Sequence, residues 1–245
     1  MKLHIGSVEL GAMPRIAAPI CDQHLSADVG ALRQLADLIE LRFDRCAALE
    51  PEAAVAFCTA ARALERPLIA TVRAVEEGGA AALDDPQRLA IFAAVLPLVD
   101  AIDIELHARV RDRVVALAKR HGKPVIVSHH DFEAMPSDRD LTALAGAADR
   151  HGADVVKLTA QANSALEADR LLDFLRARRD QPTIAIAMGP HGVASRVFFP
   201  LLGSLITYGF VGEPGAPGQL ALPEMYDELR RYSPAFADSH PAREA

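Results

Sequence analysis

The sequence predicts a single (β/α)8 barrel, and three observations carry that expectation. Eight short runs, 15–20, 36–43, 67–73, 99–106, 124–129, 153–158, 183–188 and 205–211, are nearly continuous in Val, Ile, Leu and Ala, as strands buried on both faces of a parallel sheet are. Amphipathic segments with helical spacing lie between them. Strand starts recur every ~20–35 residues, the length of a βα unit, and eight units fill a barrel of ~250 residues. A doubly wound sheet is the other fold built from the same units.

In chain order, residues 1–13 come first, with Gly6 and Gly11 flanking alternating Val8 and Leu10, which predicts a small hairpin closing the barrel bottom. Helices are predicted over 53–64, 88–96, 108–120 and 163–178, the last with Leu166, Leu171, Leu172 and Leu175 mainly on one stripe. His121-Gly122 and His151-Gly152 read as helix stops just ahead of the fifth and sixth strands. The stretch from Gly212 to Gln219 follows the eighth strand and has the turn-rich composition of a mobile lid. The tail 233–245 reads as frayed. No composition shift or Ser/Gly linker divides the 245 residues, so the expectation is one domain over 1–245.

A composition of 51% hydrophobic and 24% charged residues excludes disorder. No apolar run approaches the ~20 residues needed to span a bilayer, and the opening MKLHIGSVELG lacks the apolar core of a signal peptide. The expectation is a soluble cytoplasmic protein without a membrane partner. A net charge of −7 argues against nucleic acid as a partner while leaving room for a locally cationic pocket. Cys21, Cys46 and Cys58 form no C-x-x-C and read as reduced thiols; a reactive cysteine would need a histidine partner that the sequence does not place. Dinucleotide, nucleotide and serine-hydrolase motifs are missing, so those readings lack support. Of 26 basic residues only four are lysines: Lys2, Lys119, Lys123 and Lys157.

In a barrel the chemistry sits where strands end, so the polar residues there form one ring. Here they are Glu40, Arg42 and Asp44; Thr71 and Arg73 leading into Glu76-Glu77-Gly78-Gly79; Asp103 and Glu105; Ser128-His129-His130-Asp131; Lys157; and Ser195-Arg196. Charges at this density inside apolar strands must be mutually compensated or functional. Lys157 lies within an apolar strand. It reads either as an ion pair with Glu105 or Asp103, or as a Schiff-base nucleophile whose pKa is lowered by nearby Arg42, Arg73 and Arg196. His130 suits proton transfer, since its ordinary pKa is near 6.5. Strand alternation turns His129 the other way, which weakens any reading of His129-His130-Asp131 as a metal site. Arg196, after a glycine-bounded loop, suits a carboxylate or phosphate.

Together these residues resemble the type I 3-dehydroquinate dehydratases, over about 15–219. The resemblance rests on Glu40-x-Arg42-x-Asp44, Thr71-x-Arg73 with Glu77-Gly78-Gly79, Ser128-x-His130-Asp131-Phe132, Asp154-x-x-Lys157, Met188-Gly189 with Gly192 and Ser195-Arg196, and Ala216-Pro217-Gly218-Gln219. It implies a cofactor-free, metal-free homodimer that dehydrates 3-dehydroquinate to 3-dehydroshikimate in the shikimate pathway. It implies that Lys157 forms the Schiff base, that His130 moves the protons with Glu77 orienting it, and that Arg196, Glu40, Arg42, Arg73 and Gln219 bind substrate. A class I aldolase would also place a lysine on a late barrel strand. Ala18 and Gly215 stand where the family commonly has serines, which implies two lost substrate hydrogen bonds and leaves a non-catalytic sugar-acid binding protein as a further reading. Leu41 and His129 replace a frequent tryptophan and asparagine.

Overall fold

The computed structural model describes residues 3–26 and 29–243. β1 (His4–Ile5) and β2 (Val8–Glu9) form an antiparallel hairpin. Eight strands then run parallel in one sheet: β3 (Ile16–Ile20), β4 (Leu38–Arg42), β5 (Leu68–Thr71), β6 (Ala101–Glu105), β7 (Val125–Asp131), β8 (Val155–Gln161), β9 (Thr183–Met188) and β10 (Thr207–Tyr208). The order is β10-β3-β4-β5-β6-β7-β8-β9, so β10 returns to the first strand and the sheet is a nearly closed (β/α)8 barrel. The Leu205 N–H donates to the Thr183 carbonyl at 3.0 Å where the last strand passes the start of β9. All eight predicted runs become barrel strands, and the doubly wound alternative is set aside.

Around the sheet lie α1 (Val29–Leu35), α2 (Pro51–Ala61), α3 (Asp85–Val95), α4 (Arg111–Arg120), α5 (Asp138–Arg150), α6 (Ala165–Ala177), α7 (Ser195–Leu201), α8 (Leu222–Tyr232) and α9 (Pro234–Ser239). Their starts are chemically marked. Asp84 and Gln87 form a reciprocal capping box on α3, and Ser137 and Ser164 accept from Asp140 N and Glu167 N at the starts of α5 and α6. No helix among the described residues is long and apolar enough to cross a membrane.

Successive strand residues point to opposite faces, and this alternation splits the core in two. Ile39, Leu41, Leu68, Ala70, Ile102, Ile104, Val125, Val127, Val156 and Leu158 pack outward against the helices. Ala17, Leu38, Ile69, Ala101, Ile126, Val155 and Ile184 pack inward, with Ile5 and Leu10 of the hairpin segment against them. The hairpin therefore plugs the bottom, as its pattern predicts; Met1 and Lys2 lie outside the described residues. One step of two residues further up, the same inward face carries Glu40, Thr71, Asp103, Ser128 and Lys157, all buried. The apolar plug below leaves the polar layer open only toward the mouth.

The tail is a correction. Residues 234–239 form α9 rather than fraying, because Phe236 is fully buried against Tyr226 (ring centroids 5.5 Å) and the His240 ring stacks on Phe236 at 3.8 Å. His240 Nε2 lies 3.1 Å from Asp37 Oδ1, and Tyr226 Oη donates to the Pro241 carbonyl at 2.7 Å. The last two predicted tail residues, Glu244 and Ala245, lie outside the described residues.

Candidate active site

At the strand ends the barrel opens into a cavity of ≈ 490 Å³, a size suited to a small ligand. Every predicted site residue lines it: Glu40 and Arg42 from the end of β4, Arg73 just after β5, Glu77 from the following turn, His130 from β7, Lys157 from β8, Arg196 from α7 and Gln219 from the loop after β10. Among the four lysines, Lys119 sits on α4 and pairs with Asp154 at 2.5 Å, well away from the mouth. Among the described residues no cluster of three or more His, Cys, Asp or Glu side chains could hold a metal ion.

Lys157 is buried, with Nζ 2.9 Å from Asp103 Oδ2 and 4.0 Å from Glu40 Oε1. Its ammonium also lies 4.2 Å from the centroid of the Tyr208 ring, a cation–π contact. The expectation of a lowered pKa is corrected here. Burial pulls the lysine down, but the Asp103 carboxylate, Tyr208 and Glu40 outweigh it and hold the amine above its ordinary value. The arginines cannot supply a cationic field because most are already neutralised. Arg42 forks onto Asp44 at 2.9 and 2.8 Å. Arg73 donates to Asp103 at 3.0 Å, Glu105 at 3.2 Å and Ser128 Oγ at 2.7 Å, and Arg88 pairs with Glu105. The ring is a charge-balanced network in which Lys157 is held as a paired ammonium, and a nucleophilic lysine here would first have to lose a proton.

Arg196 is the exception. It is 2% exposed; among the described residues its guanidinium makes one hydrogen bond, from Nη2 to the Pro217 carbonyl at 3.0 Å, and its Nε has no partner. Burial alone, with no carboxylate to offset it, pushes its pKa down to about 10. A buried guanidinium without a counter-ion is costly, and a ligand carboxylate would supply one. The cationic character expected of the whole pocket is concentrated at this residue.

His130 and Glu77 form one unit. Glu77 Oε2 accepts the His130 backbone N–H at 2.9 Å and lies 2.9 Å from Nδ1, which turns Nε2 away from the carboxyl. The turn holding Glu77 is set by its glycines: Gly78 has φ +85° and a Cβ on Gly79 would come within 2.1 Å of the Arg73 carbonyl. Burial, then the Arg73 and Lys157 charges, hold the imidazole well below its ordinary pKa, so it is neutral. Burial, with Glu105 and Asp103 nearby, raises Glu77 to about 8 against the pull of Arg73. Below about pH 8 the Glu77 carboxyl thus keeps its own proton beside a neutral imidazole; once that proton is lost the carboxylate accepts from Nδ1–H, which leaves the Nε2 lone pair free to act as a base. The pH profile of kcat/KM should accordingly rise on a limb near 8 as the Glu77 proton is lost. A profile flat through pH 8 would contradict a Glu77 carboxyl that controls the protonation of His130.

Gln219 is engaged by its own loop and by β10: Oε1 accepts from Gly215 N at 2.8 Å and Nε2 donates to the Tyr208 carbonyl at 3.3 Å. One sequence expectation needs revision. Ala18 faces the outer core between sheet and helices rather than the cavity, so a serine there would not have met substrate. Gly215 does line the cavity, and a Cβ there would come within 2.9 Å of the end of the Arg45 side chain. His129 lies outside the cavity lining, with its ring edge-on to His107 at 5.3 Å, as strand alternation predicts.

The sequence reading missed Tyr208, Thr159 and His24 in the cavity wall. His24 Nδ1 lies 3.2 Å from Cys21 Sγ and accepts the Cys21 N–H at 3.1 Å, so one thiol does have a histidine beside it. Cys46 and Cys58 are pushed up to about 12 by burial, which makes them inert.

The model of the type I 3-dehydroquinase family matches residues 16–233. The 3-dehydroquinate dehydratase of Methanococcoides burtonii is 34% identical over 226 residues, covering 91% of this chain and 96% of that relative. The crystal structure of 3-dehydroquinate dehydratase from Geobacillus kaustophilus superposes with a TM-score of 0.88 at 26% identity, covering 95% of this chain and 98% of that one. The type I enzyme of Clostridium difficile, in a structure with covalently modified comenic acid, gives a TM-score of 0.87 at 26% identity, with 95% and 98% covered.

Proposed function

This chain belongs to the type I 3-dehydroquinase family, and from that premise we propose how its residues dehydrate 3-dehydroquinate. The reaction itself is that of a hydro-lyase acting on 3-dehydroquinate. The observation that carries the proposal is the meeting, in one closed-bottomed cavity, of a buried lysine, a neutral histidine and a buried arginine without a counter-ion.

Arg196 takes the substrate carboxylate, which supplies its missing partner. Glu40 and Arg42 hold ring hydroxyls, and Gln219 closes the lid over them. Lys157 gives up a proton to His130, and the free amine adds to the C3 ketone; His130 returns that proton to the carbinolamine hydroxyl, which leaves as water, and an iminium remains on Nζ. That cation is an electron sink, so His130 removes the C2 proton and an enamine forms. The enamine expels the C1 hydroxyl, which leaves as water with the proton returned by His130. Hydrolysis of the second iminium frees 3-dehydroshikimate and restores Lys157. Asp103, which pairs the ammonium at rest, balances the iminium charge in the same position, so the site needs little reorganisation along the path.

Replacing His130 with Ala tests this division of labour. Catalysis by a positioned acid/base is worth roughly 10²–10⁴-fold, so kcat should fall by about that much. Borohydride should still trap substrate on Lys157 after long incubation. Loss of both activity and trapping would mean that His130 is needed to make the adduct at all, and undiminished kcat would remove it from the mechanism. A homodimer working in the cytoplasm, within the shikimate pathway, completes the proposal by family likeness; sedimentation at micromolar concentration reads the oligomeric state.

A further inference from the structure

Four buried side-chain atoms among the described residues lack a hydrogen-bond partner: His129 Nδ1, Thr159 Oγ1, Arg196 Nε and Tyr208 Oη. Buried polar atoms are nearly always paired, so each exception asks for a cause. Three of the four residues, Thr159, Arg196 and Tyr208, line the same cavity. Arg196 is accounted for by a ligand carboxylate. The two hydroxyls are not yet accounted for, and both belong to residues only 5% exposed.

Their positions are informative. Thr159 follows Lys157 by two residues on β8, so it shares the inward face one layer nearer the mouth. In the parallel register it pairs with His130 of β7. Tyr208 comes from β10, with its ring under the Lys157 ammonium. Burial pushes the phenol above its ordinary pKa, so it stays a protonated donor. One hydroxyl therefore flanks the acid/base and the other flanks the nucleophile. Neither a lone threonine nor a lone tyrosine in a strand is unusual; two unpaired hydroxyls on either side of one reactive pair are.

We propose that Thr159 and Tyr208 form a neutral oxygen-recognising pair in the substrate site, Tyr208 donating to the ketone oxygen opposite Lys157 and Thr159 to the ring hydroxyl beside His130. Together with Arg196, the pair selects a cyclic acid that carries oxygens on both sides of the reacting carbons over a bare ring carboxylate. This assignment rests on the reading of Lys157 and His130 as the reacting groups.

The test compares two ligands, quinate and cyclohexanecarboxylate, which share a ring and a carboxylate but not the ring oxygens. Affinities of the wild-type protein, Tyr208→Phe, Thr159→Val and Thr159→Ser are read by calorimetric competition, with melting curves to confirm folding. A lost hydrogen bond of ordinary strength corresponds to roughly 3- to 10-fold. Tyr208→Phe and Thr159→Val should each weaken quinate by about that factor and leave cyclohexanecarboxylate unchanged, while Thr159→Ser, which keeps the hydroxyl, should restore quinate binding. Equal loss for both ligands would show a structural role and overturn the assignment. Unchanged quinate binding in both variants would overturn it as well. If a variant melts too low to assay, wild-type quinate binding no more than about 3-fold tighter than cyclohexanecarboxylate decides against the pair directly. Failure of the underlying mechanism is seen separately, as lack of a borohydride-trapped adduct on Lys157 in the wild-type protein.

Discussion

Lys157→Ala is expected to abolish dehydration, with a loss of more than about 10⁴-fold in kcat, the scale seen when a covalent nucleophile is removed. The fold should survive the change. Asp103 would lose its 2.9 Å ammonium partner but keep Arg73 at 3.0 Å and the Ser128 hydroxyl at 2.6 Å, and Glu40 would lose the ammonium at 4.0 Å but keep the Thr71 hydroxyl at 2.8 Å, so each carboxylate retains a hydrogen-bond donor. Circular dichroism and a melting curve close to those of the parent, beside a flat progress curve with 3-dehydroquinate, are the expected pair of results. Substantial dehydration by a folded Lys157→Ala protein would move the chemistry to another group.

The second large effect is on stability. Arg73 resembles a substrate ligand by motif, yet its guanidinium is 4% exposed and joins Asp103, Glu105 and Ser128 across three strand ends. Burial works against the charge, but Asp103, Glu105 and Glu40 overcome it and hold the arginine above its ordinary pKa. Arg73→Met would leave Asp103 and Glu105 short of one cation in a buried layer, and breaking such a network from one side costs about 3–5 kcal/mol. For a chain of this size that corresponds to a melting temperature lower by roughly 6–20 °C. Arg73→Lys should recover only part of it, because a point charge cannot reach three acceptors as the planar fork does. A melting temperature unchanged by Arg73→Met, with a raised KM, would return Arg73 to the role of a plain substrate contact.

The barrel was legible because its strands are buried on both faces and so interrupt an otherwise mixed sequence with eight apolar runs. The charged residues of the site were legible for the same reason in reverse, since Glu40 and Lys157 break those runs and Arg73 and His130 stand at their ends. What sequence alone did not supply was which way each side chain faces and what it pairs with. Ala18 looked like a missing substrate contact until the register put it on the helix side. Arg42 and Arg73 looked like free cations until Asp44, Asp103 and Glu105 took up their donors. That pairing reverses the expected direction of the Lys157 pKa. Tyr208 and Thr159 carry no charge and fit a strand by propensity, so nothing local marks them; only the cavity does. The tail was misread because α9 is too short to show a period, and its order comes from one buried ring, Phe236.

The central claim is that Lys157 forms the covalent bond. Incubation of the protein with 3-dehydroquinate, reduction with borohydride, digestion and mass spectrometry test it most directly. The mechanism predicts one adduct per chain, on the peptide containing Lys157 and on no peptide containing Lys119 or Lys123. Active protein that yields no adduct there, or yields it on another lysine, would contradict it.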